Sequence, residues 1–285
     1  MEPVSRRLRG FRHAAGRDPL TLVMAAVTLL YIGVALTAPW ISPHDPASMH
    51  FRDRFQAPSL TYPMGTDESG RDLLSRVIHG TRVTVAVGFG SVAIAAVAGI
   101  TLGLVAGFRG GFIDHAIMRV FDGLLAFPSL ILAMTLVAVF GPTPGNLILA
   151  IGIFLTPPMA RIVRSAVLAQ REREYVHAAT LLGAGDAYVA FRVILPNCLS
   201  SIIVQTSLSV AMAIKVEAFL SFLGMGTQIP DASWGLLLAN GYQFLNRAWW
   251  YSIFPALNIF VIVLALNLVG DGLRDLMEPR LRHRA

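Results

Sequence analysis

The 285-residue chain is poor in cysteine, histidine and charged residues, and each shortage excludes a class of function. Cys198 is the only cysteine, so an intramolecular disulfide is impossible and a thiolate metal or redox site is not supported. The seven histidines occur singly, without a pair at i and i+4 on a helix face, and we predict no metal site. No Gly-Lys dipeptide occurs, so the Walker A pattern is missing and any ATP that drives this protein must bind to another chain.

Apolar residues are what the sequence has in abundance. They make up 55% of the chain against 14% charged residues, and the mean hydropathy is +0.62, a balance typical of membrane proteins. A formal net charge of +6 would indicate nucleic acid as the partner of a soluble domain. Here the arginines lie at the ends of apolar segments, so membrane topology explains them and we predict no nucleic-acid partner.

Uncharged apolar segments of about 20 residues, the length that crosses a bilayer, recur along the chain. A Gly- and Pro-rich turn at 141–146 divides the longest segment into two. We therefore predict an all-α, polytopic membrane protein with six transmembrane helices, at 19–43, 83–108, two within 123–160, 193 to about 222, and 248–270. The predicted organisation is an N-tail (1–18), a first span (19–43), an outer segment (44–82), a core of five helices (83–273) that includes a loop at 166–196, and a C-tail (274–285).

Arginine is distributed unevenly between the two sides of this topology, with sixteen on the side of the N-tail and six on the other. Because cytoplasmic flanks carry the excess of positive charge, both termini are predicted to be cytoplasmic. The basic start also fits a cleaved signal peptide, but the apolar run is too long and 35–38 is a poor cleavage site, so an uncleaved helix is favoured. The four tryptophans fall on the outer side, which indicates an aromatic belt: Trp40, Trp234, Trp249 and Trp250.

A polar segment, residues 172–196, lies between two long apolar segments on the predicted cytoplasmic side; we call it the island. Tyr175, Ala178, Ala179 and Leu182 have spacings of three, four and seven, which predict one face of a helix. Gly183 is placed to end that helix, and Asp186 to cap a second one. The island is therefore predicted to be a helix, a sharp turn and a second helix.

The island also carries a family resemblance. His177-Ala178-Ala179, three residues, Gly183, nine residues, and then Val193-Ile194-Leu195-Pro196 resembles the signature of permease subunits in bacterial ABC importers. In that family this loop is the cytoplasmic coupling helix, which sits in a groove of the ATPase subunit. His177 stands where the family has Glu and Val193 where it has Ile, so no salt bridge is assigned to His177.

The resemblance implies that ATPase coupling involves Glu174, Tyr175, His177, Ala178, Ala179, Leu182, Gly183, Ala184, Asp186, Leu195 and Pro196. The alternative reading is an amphipathic cytoplasmic loop whose only role is packing.

Three further segments narrow the resemblance. Residues 64–82, 119–133 and 216–235 resemble the C-type subunit of dipeptide and oligopeptide permeases. The resemblance implies an inner-membrane location and partners in the form of a homologous permease, two ATP-binding subunits that hold ATP and Mg, and an extracytoplasmic binding protein. It also implies that this chain is not an enzyme and binds no cofactor. Within 64–82, Asp72 and Arg76 form an i, i+4 pair, which indicates either a short surface helix or charges that simply keep a loop hydrated.

Small residues recur every four positions in the second predicted span, at Ser91, Ala95, Gly99, Gly103 and Gly107. Such a stripe lets two helix backbones approach closely in lipid. The partner helix belongs either to this subunit, which we favour, or to a second permease.

Several residues are candidates for the translocation path. Phe127 and Pro128 belong to a segment whose counterpart in the family lies beside conduit-lining helices, and Pro128 is predicted to kink its helix. Arg119 and Asp122, one turn apart, are either part of that path or an interfacial anchor. Lys215 and Glu217 interrupt an apolar helix, and we hypothesise that Glu217 lines an outer vestibule and meets a cationic peptide amine. The competing reading of Glu217 is a charge that snorkels to the membrane surface.

The function predicted from these observations is a permease subunit that translocates dipeptides or oligopeptides. Nickel, or another small peptide-like solute, is the alternative cargo of the same machinery. A secondary transporter is disfavoured because the predicted spans hold few carboxylates for proton or sodium sites. An intramembrane enzyme is disfavoured because the spans contain no Ser/His, paired Asp or metal constellation.

Overall fold

The computed structural model describes residues 19–277, a range without a β-strand. The predicted all-α fold is confirmed, while predictions about the N-tail and about 278–285 fall outside the described residues. The helices are α1 (Pro19–Ile41), α2 (Leu73–Arg109), α3 (Gly111–Leu125), α4 (Ser129–Phe140), α5 (Pro144–Arg171), α6 (Glu174–Leu181), α7 (Asp186–Phe222), α8 (Trp234–Tyr242) and α9 (Trp249–Met277).

Within residues 19–277, five helices are long and apolar enough to cross a membrane: α1, α2, α5, α7 and α9. The pair α3 and α4 also passes that test, but the two helices are bent by 93° where they meet. The multi-pass character is thus confirmed, and the predicted number of six holds if the bent pair counts as one span.

The bend between α3 and α4 is sharper than the predicted kink at Pro128. Helix α3 ends at Leu125, and α4 restarts at Ser129. Proline has no N–H, so Pro128 leaves the Leu124 carbonyl without its helical partner, and it disfavours a helical conformation at the preceding residue. At 12 residues, or about 18 Å, α4 is too short to cross a bilayer alone.

Helix α2 begins ten residues before the predicted span, because Asp72 provides an N-cap. The Asp72 carboxylate accepts the backbone N–H of Ser75 at 3.0 Å. The helix then runs for 37 residues, about 55 Å, well beyond the thickness of an apolar bilayer core. Gly110 and Gly111, with φ of 65° and 55°, turn the chain into α3, a conformation that other residues rarely adopt.

The stripe of small residues on α2 packs against α5 of the same chain. A Cβ added to Gly99 would lie 2.7 Å from the Met159 side chain, and one added to Gly103 would lie 2.5 Å from the Ala160 carbonyl oxygen. Gly107 meets Val167 in the same way, and Ser91 and Ala95 are fully buried. The two backbones approach closely because no side chain separates them.

The bundle contains two apolar cores at opposite ends. We call the end next to residues 42–72 the outer end, and the end next to the island the inner end. The outer core includes Leu73, Ile151, Ile214 and Trp234, and the inner core includes Leu104, Val163, Val176, Ile194 and Ile202. Helices α2, α5 and α7 contribute to both cores, so they connect the two ends.

Two of the four tryptophans do not form the predicted aromatic belt. Trp234 is fully buried, and its indole N–H donates to the Val77 carbonyl at 3.0 Å. Trp250 is also buried and donates to the Thr66 carbonyl at 3.3 Å. Both rings hold the outer segment and α8 against the bundle, whereas Trp40 and Trp249 are exposed.

An ionic cluster lies buried in the outer segment around Asp67. Its Oδ2 accepts Nε of Arg71 at 2.7 Å and Nη1 of Arg76 at 2.5 Å. Its Oδ1 accepts the backbone N–H groups of Ser69 and Arg71. Asp67 and Arg76 are fully buried and Arg71 nearly so, so the cluster fixes the turn before α2 rather than decorating a surface.

The cluster corrects the sequence prediction for this segment. Arg76 pairs with Asp67 and not with Asp72, because Asp72 is committed to the N-cap of α2. Neither a surface helix nor a merely hydrated loop describes these charges, since burying an arginine requires a carboxylate partner with good geometry.

Replacing Gly103 tests the contact between α2 and α5. Gly103→Ala is expected to lower the thermal midpoint of the purified protein in detergent, because the new methyl group overlaps the Ala160 carbonyl and overpacking costs about 1–3 kcal/mol. Gly33→Ala, in the middle of α1 with nothing within 4 Å of the added Cβ, is the matched control and is expected to leave the midpoint unchanged or raise it. Equal midpoints for the two variants would contradict the packing described.

Asp67→Asn tests the buried cluster. The substitution leaves Arg76 buried without a charged partner, which costs about 3–5 kcal/mol and corresponds to a fall in midpoint of roughly 6–20 °C. Asp45→Asn, on an exposed part of the same outer segment, is expected to change the midpoint little. A stable Asp67→Asn protein would show that the cluster is dispensable.

Candidate functional site

The island folds as a helix, a turn and a second helix, as its sequence predicts. Helix α6 ends at Leu181, and Gly183 adopts φ +85° as the chain reverses. The N–H of Ala184 then donates to the Ala179 carbonyl at 3.1 Å, which closes the turn. A Cβ on Gly183 would meet nothing within 4 Å, so the glycine is required by backbone conformation and not by space.

The second helix begins differently from the prediction. Gly185 occupies the N-cap position, and Asp186 is the first helical residue without a side-chain capping bond. The Asp186 carboxylate instead lies 4.0 Å from Arg109, and both side chains are mostly exposed, so the pair adds little stability. A π-helical segment at Val189–Ile194 follows and joins the island to the rest of α7.

The face of α6 that packs inward is centred on Val176, beside the face formed by Tyr175, Ala178, Ala179 and Leu182. Val176 is buried in the inner core and Ala179 packs against it, whereas Tyr175 and Leu182 are exposed. Apolar residues occur almost all round this short helix, so spacing alone could not select the buried face. Sequence reasoning missed Val176, and its signal was its i, i+3 relation to Ala179.

Large apolar side chains project from the island. Leu181 and Leu182 are each 88% exposed, Tyr188 60% and Phe191 53%; together with Tyr175 we call them the apolar ridge. Only Tyr175 and Leu182 were among the predicted coupling residues. Large apolar side chains that are exposed together on one short segment are typical of an interaction site.

The other predicted island residues surround the ridge. Glu174, His177, Ala178, Gly183 and Asp186 are exposed. Ala184 and Leu195 are partly buried and pack against the inner core, and Pro196 is exposed in the first turn after the π-helical segment.

A hydrogen bond ties the ridge to the end of α5. The Tyr175 hydroxyl donates to Oε1 of Gln170 at 2.7 Å. Partial burial raises the pKa of this phenol above its ordinary value, so it stays protonated and keeps donating at neutral pH.

A cleft of about 400 Å³ lies beside the ridge. Phe108 and Arg109 of α2, Ile113 of α3, and Ala190 and Phe191 of α7 contribute to its walls. The inner end of the protein therefore has a surface on which the exposed apolar side chains of the ridge lie next to a cleft.

Glu217 lies in a closed polar cluster at the outer end of α7. The carboxylate is fully buried and accepts the hydroxyls of Ser221 at 2.8 Å and Thr84 at 3.4 Å. Glu217 therefore joins α7 to α2. It neither lines an open vestibule of this chain nor snorkels to a surface, whereas Lys215 is exposed.

The remaining path candidates lie around the break between α3 and α4. Phe127 and Pro128 are exposed there. Asp122 does not pair with Arg119, one turn earlier, but with Arg161 of α5 at 2.5 Å. A second, less exposed pair joins the same two helices. Nε and Nη2 of Arg164 donate to the two carboxylate oxygens of Asp114 at 2.5 and 2.6 Å. Sequence reasoning missed both pairs because the partners are 39 and 50 residues apart.

The described residues, 19–277, contain no group of three or more His, Cys, Asp or Glu side chains arranged to hold a metal ion.

Comparison with known proteins identifies relatives that are transport permeases. Residues 99–283 match the family model described as binding-protein-dependent transport system inner membrane component. The di/tripeptide transport system permease protein DppC of Pseudomonas aeruginosa is 43% identical, with 99% of this chain and 94% of the relative covered. The dipeptide transport system permease protein DppC of Escherichia coli is 44% identical over 96% and 94% of the two chains. The glutathione transport system permease protein GsiD of Pectobacterium atrosepticum is 40% identical over 93% and 89%.

Solved structures share the fold. A chain of the MetNI methionine ABC transporter in inward-facing conformations aligns with a TM-score of 0.58 at 18% identity, covering 72% of this chain and 96% of that one. An amino acid ABC transporter aligns with a TM-score of 0.54 over 71% and 92%. The chain belongs to the family of binding-protein-dependent transport system inner membrane components, as a C-type permease subunit of an ABC importer.

Proposed function

We propose that this permease translocates dipeptides or oligopeptides delivered by an extracytoplasmic binding protein, and that the apolar ridge couples it to ATP hydrolysis. The observation that carries the coupling role is the exposure of Leu181 and Leu182 at the tip of a tight helical turn. Two large apolar side chains in water have an unfavourable hydration free energy, which docking into a partner's groove would relieve.

ATP binding and hydrolysis are assigned to other chains. Because the sequence has no Walker A pattern, ATP and Mg would bind to two ATP-binding subunits, and a homologous permease would complete the path. With the termini in the cytoplasm, as the arginine distribution favours, the island faces those subunits.

ATP can shift the spans between inward-open and outward-open states only through a difference in its affinity for the two states. The ridge is the surface through which a conformational change of the ATP-binding subunits would be transmitted to the permease. It is packed on the inner core through Val176 and Val189, so a force on the island acts directly on α5 and α7.

The peptide cargo rests on the relatives, whose names specify dipeptides, di/tripeptides and glutathione. A thermal-shift screen of the cognate binding protein against dipeptides, longer peptides and nickel tests this assignment. Stabilisation by peptides alone is the expected result, and stabilisation by nickel alone would replace the cargo while leaving the permease function intact.

Leu182→Asp tests the ridge. A carboxylate cannot enter an apolar groove without a large desolvation cost, so ATP hydrolysis stimulated by the loaded binding protein is expected to fall at least about tenfold, or roughly 1.4 kcal/mol of coupling. Leu60→Asp, at a fully exposed leucine of the outer segment, is the control and is expected to leave ATP hydrolysis near the wild-type rate. Equal rates for the two variants would place the docking surface elsewhere.

Gly183→Ala tests the turn. Alanine at φ +85° is strained by about 1 kcal/mol or more, so the ridge is expected to shift and peptide uptake to fall while membrane insertion stays normal. Gly185→Ala makes the same chemical change two residues later at φ −69°, also with open space around the Cβ, and is expected to transport normally. Normal uptake by the Gly183→Ala protein would remove the turn from the coupling mechanism.

A further inference from the structure

Exposed charges and a broken helix share one surface of the protein. Asp122 lies one turn before the break, and its carbonyl accepts the N–H of Ala126 at 3.0 Å. Its carboxylate pairs with Arg161, and the two side chains are 53% and 48% exposed. We call Asp122, Ala126, Phe127, Pro128 and Arg161 the break surface.

This surface is unsuited to contact with lipid. Irregular backbone at membrane depth occurs where it is covered by protein or lines a water-filled cavity, since hydrocarbon offers no hydrogen-bond partners. Pro128 leaves the Leu124 carbonyl without its helical partner. Arg161 lies ten residues before the end of α5, about 15 Å along the helix and within a candidate span. Charges in such positions face a path, a cavity or another protein.

The exposed pair is not what holds α3 to α5. The neighbouring Arg164 and Asp114 pair already does so, with two short bonds and a nearly buried carboxylate. An exposed ion pair contributes little stability, about 0–1 kcal/mol. Arg161 and Asp122 can therefore separate and each bind a charged group of a ligand at a small cost in free energy.

We propose that the break surface lines the translocation path and that Arg161 and Asp122 receive the two charged ends of a zwitterionic peptide. The Arg161 guanidinium matches the planar geometry of a carboxylate, and the Asp122 carboxylate matches an ammonium group. This inference rests on the proposed peptide-import function. It adds a polar binding site for the peptide, close to the inner end of the path.

Cysteine labelling tests the first half of the proposal. Cys198 is the only native cysteine of this chain and is buried, so background labelling of the wild-type chain is low. Ala126→Cys is expected to react with a charged, membrane-impermeant maleimide in the complete transporter in nanodiscs. Leu36→Cys, exposed on the peripheral helix α1, is the lipid-facing control and is expected to stay unreacted. An Ala126→Cys transporter that reacts no faster than the control would mean that lipid or the partner permease covers the break, and would overturn the proposal.

Transport measurements test the second half. Asp122→Asn and Arg161→Gln are each expected to lower peptide uptake per ATP hydrolysed about tenfold, while stimulation of ATP hydrolysis by the loaded binding protein persists. A wild-type transporter without that stimulation would instead disprove the proposed import function, so the two failures are distinguishable. Wild-type uptake per ATP in both variants would overturn the proposal.

A charge swap separates cargo binding from a structural role. Asp122→Arg combined with Arg161→Asp restores the ion pair but reverses its direction. If the pair only joins two helices, the swap is expected to rescue uptake, and that rescue would overturn the proposal. If the pair receives the peptide ends in a fixed orientation, uptake is expected to stay low while thermal stability stays near the wild-type value.

Discussion

The close approach of α2 and α5 is the contact on which the other features depend. Gly99, Gly103 and Gly107 allow the two backbones to meet directly, where any larger side chain would separate them. The outer end of α2 carries the turn fixed by Asp67 and Arg76, and the inner end of α5 leads into the island. The stripe of small residues thereby fixes the position of α2, which carries the outer turn, relative to α5, which leads into the island.

Helix α7 provides a second connection between the two ends. Its first half packs in the inner core from Val189 to Ile202, and its second half packs in the outer core from Val210 to Leu220. Glu217 joins its outer end to α2, since its carboxylate accepts the hydroxyl of Thr84. The π-helical segment at Val189–Ile194 lies between the island and the main length of this helix, a position where such segments often accompany function. A displacement of the island therefore acts on an element that extends to the opposite end.

The polar side chains divide into two groups by burial. Asp67, Arg71, Arg76 and Glu217 are buried with their partners, so they specify the arrangement of the outer end. Asp122 and Arg161 are paired but exposed, and the large apolar side chains of the ridge are also exposed. In the proposed function, the exposed pair meets the cargo and the exposed ridge meets an ATP-binding subunit.

The sequence by itself determined the helical membrane fold, the position of the island and its turn at Gly183, because these follow from composition, periodicity and local backbone preference along a continuous stretch. It did not determine which face of α6 is buried, since Tyr175 and Val176 are both apolar and only the packing of Val189 and Ile194 selects between them. It also misassigned Arg76 to Asp72 and placed Glu217 at an open surface. Only the tertiary structure decided those partners, because the contacts of Glu217 with Thr84 and of Asp122 with Arg161 join positions 133 and 39 residues apart, a distance over which local spacing carries no information.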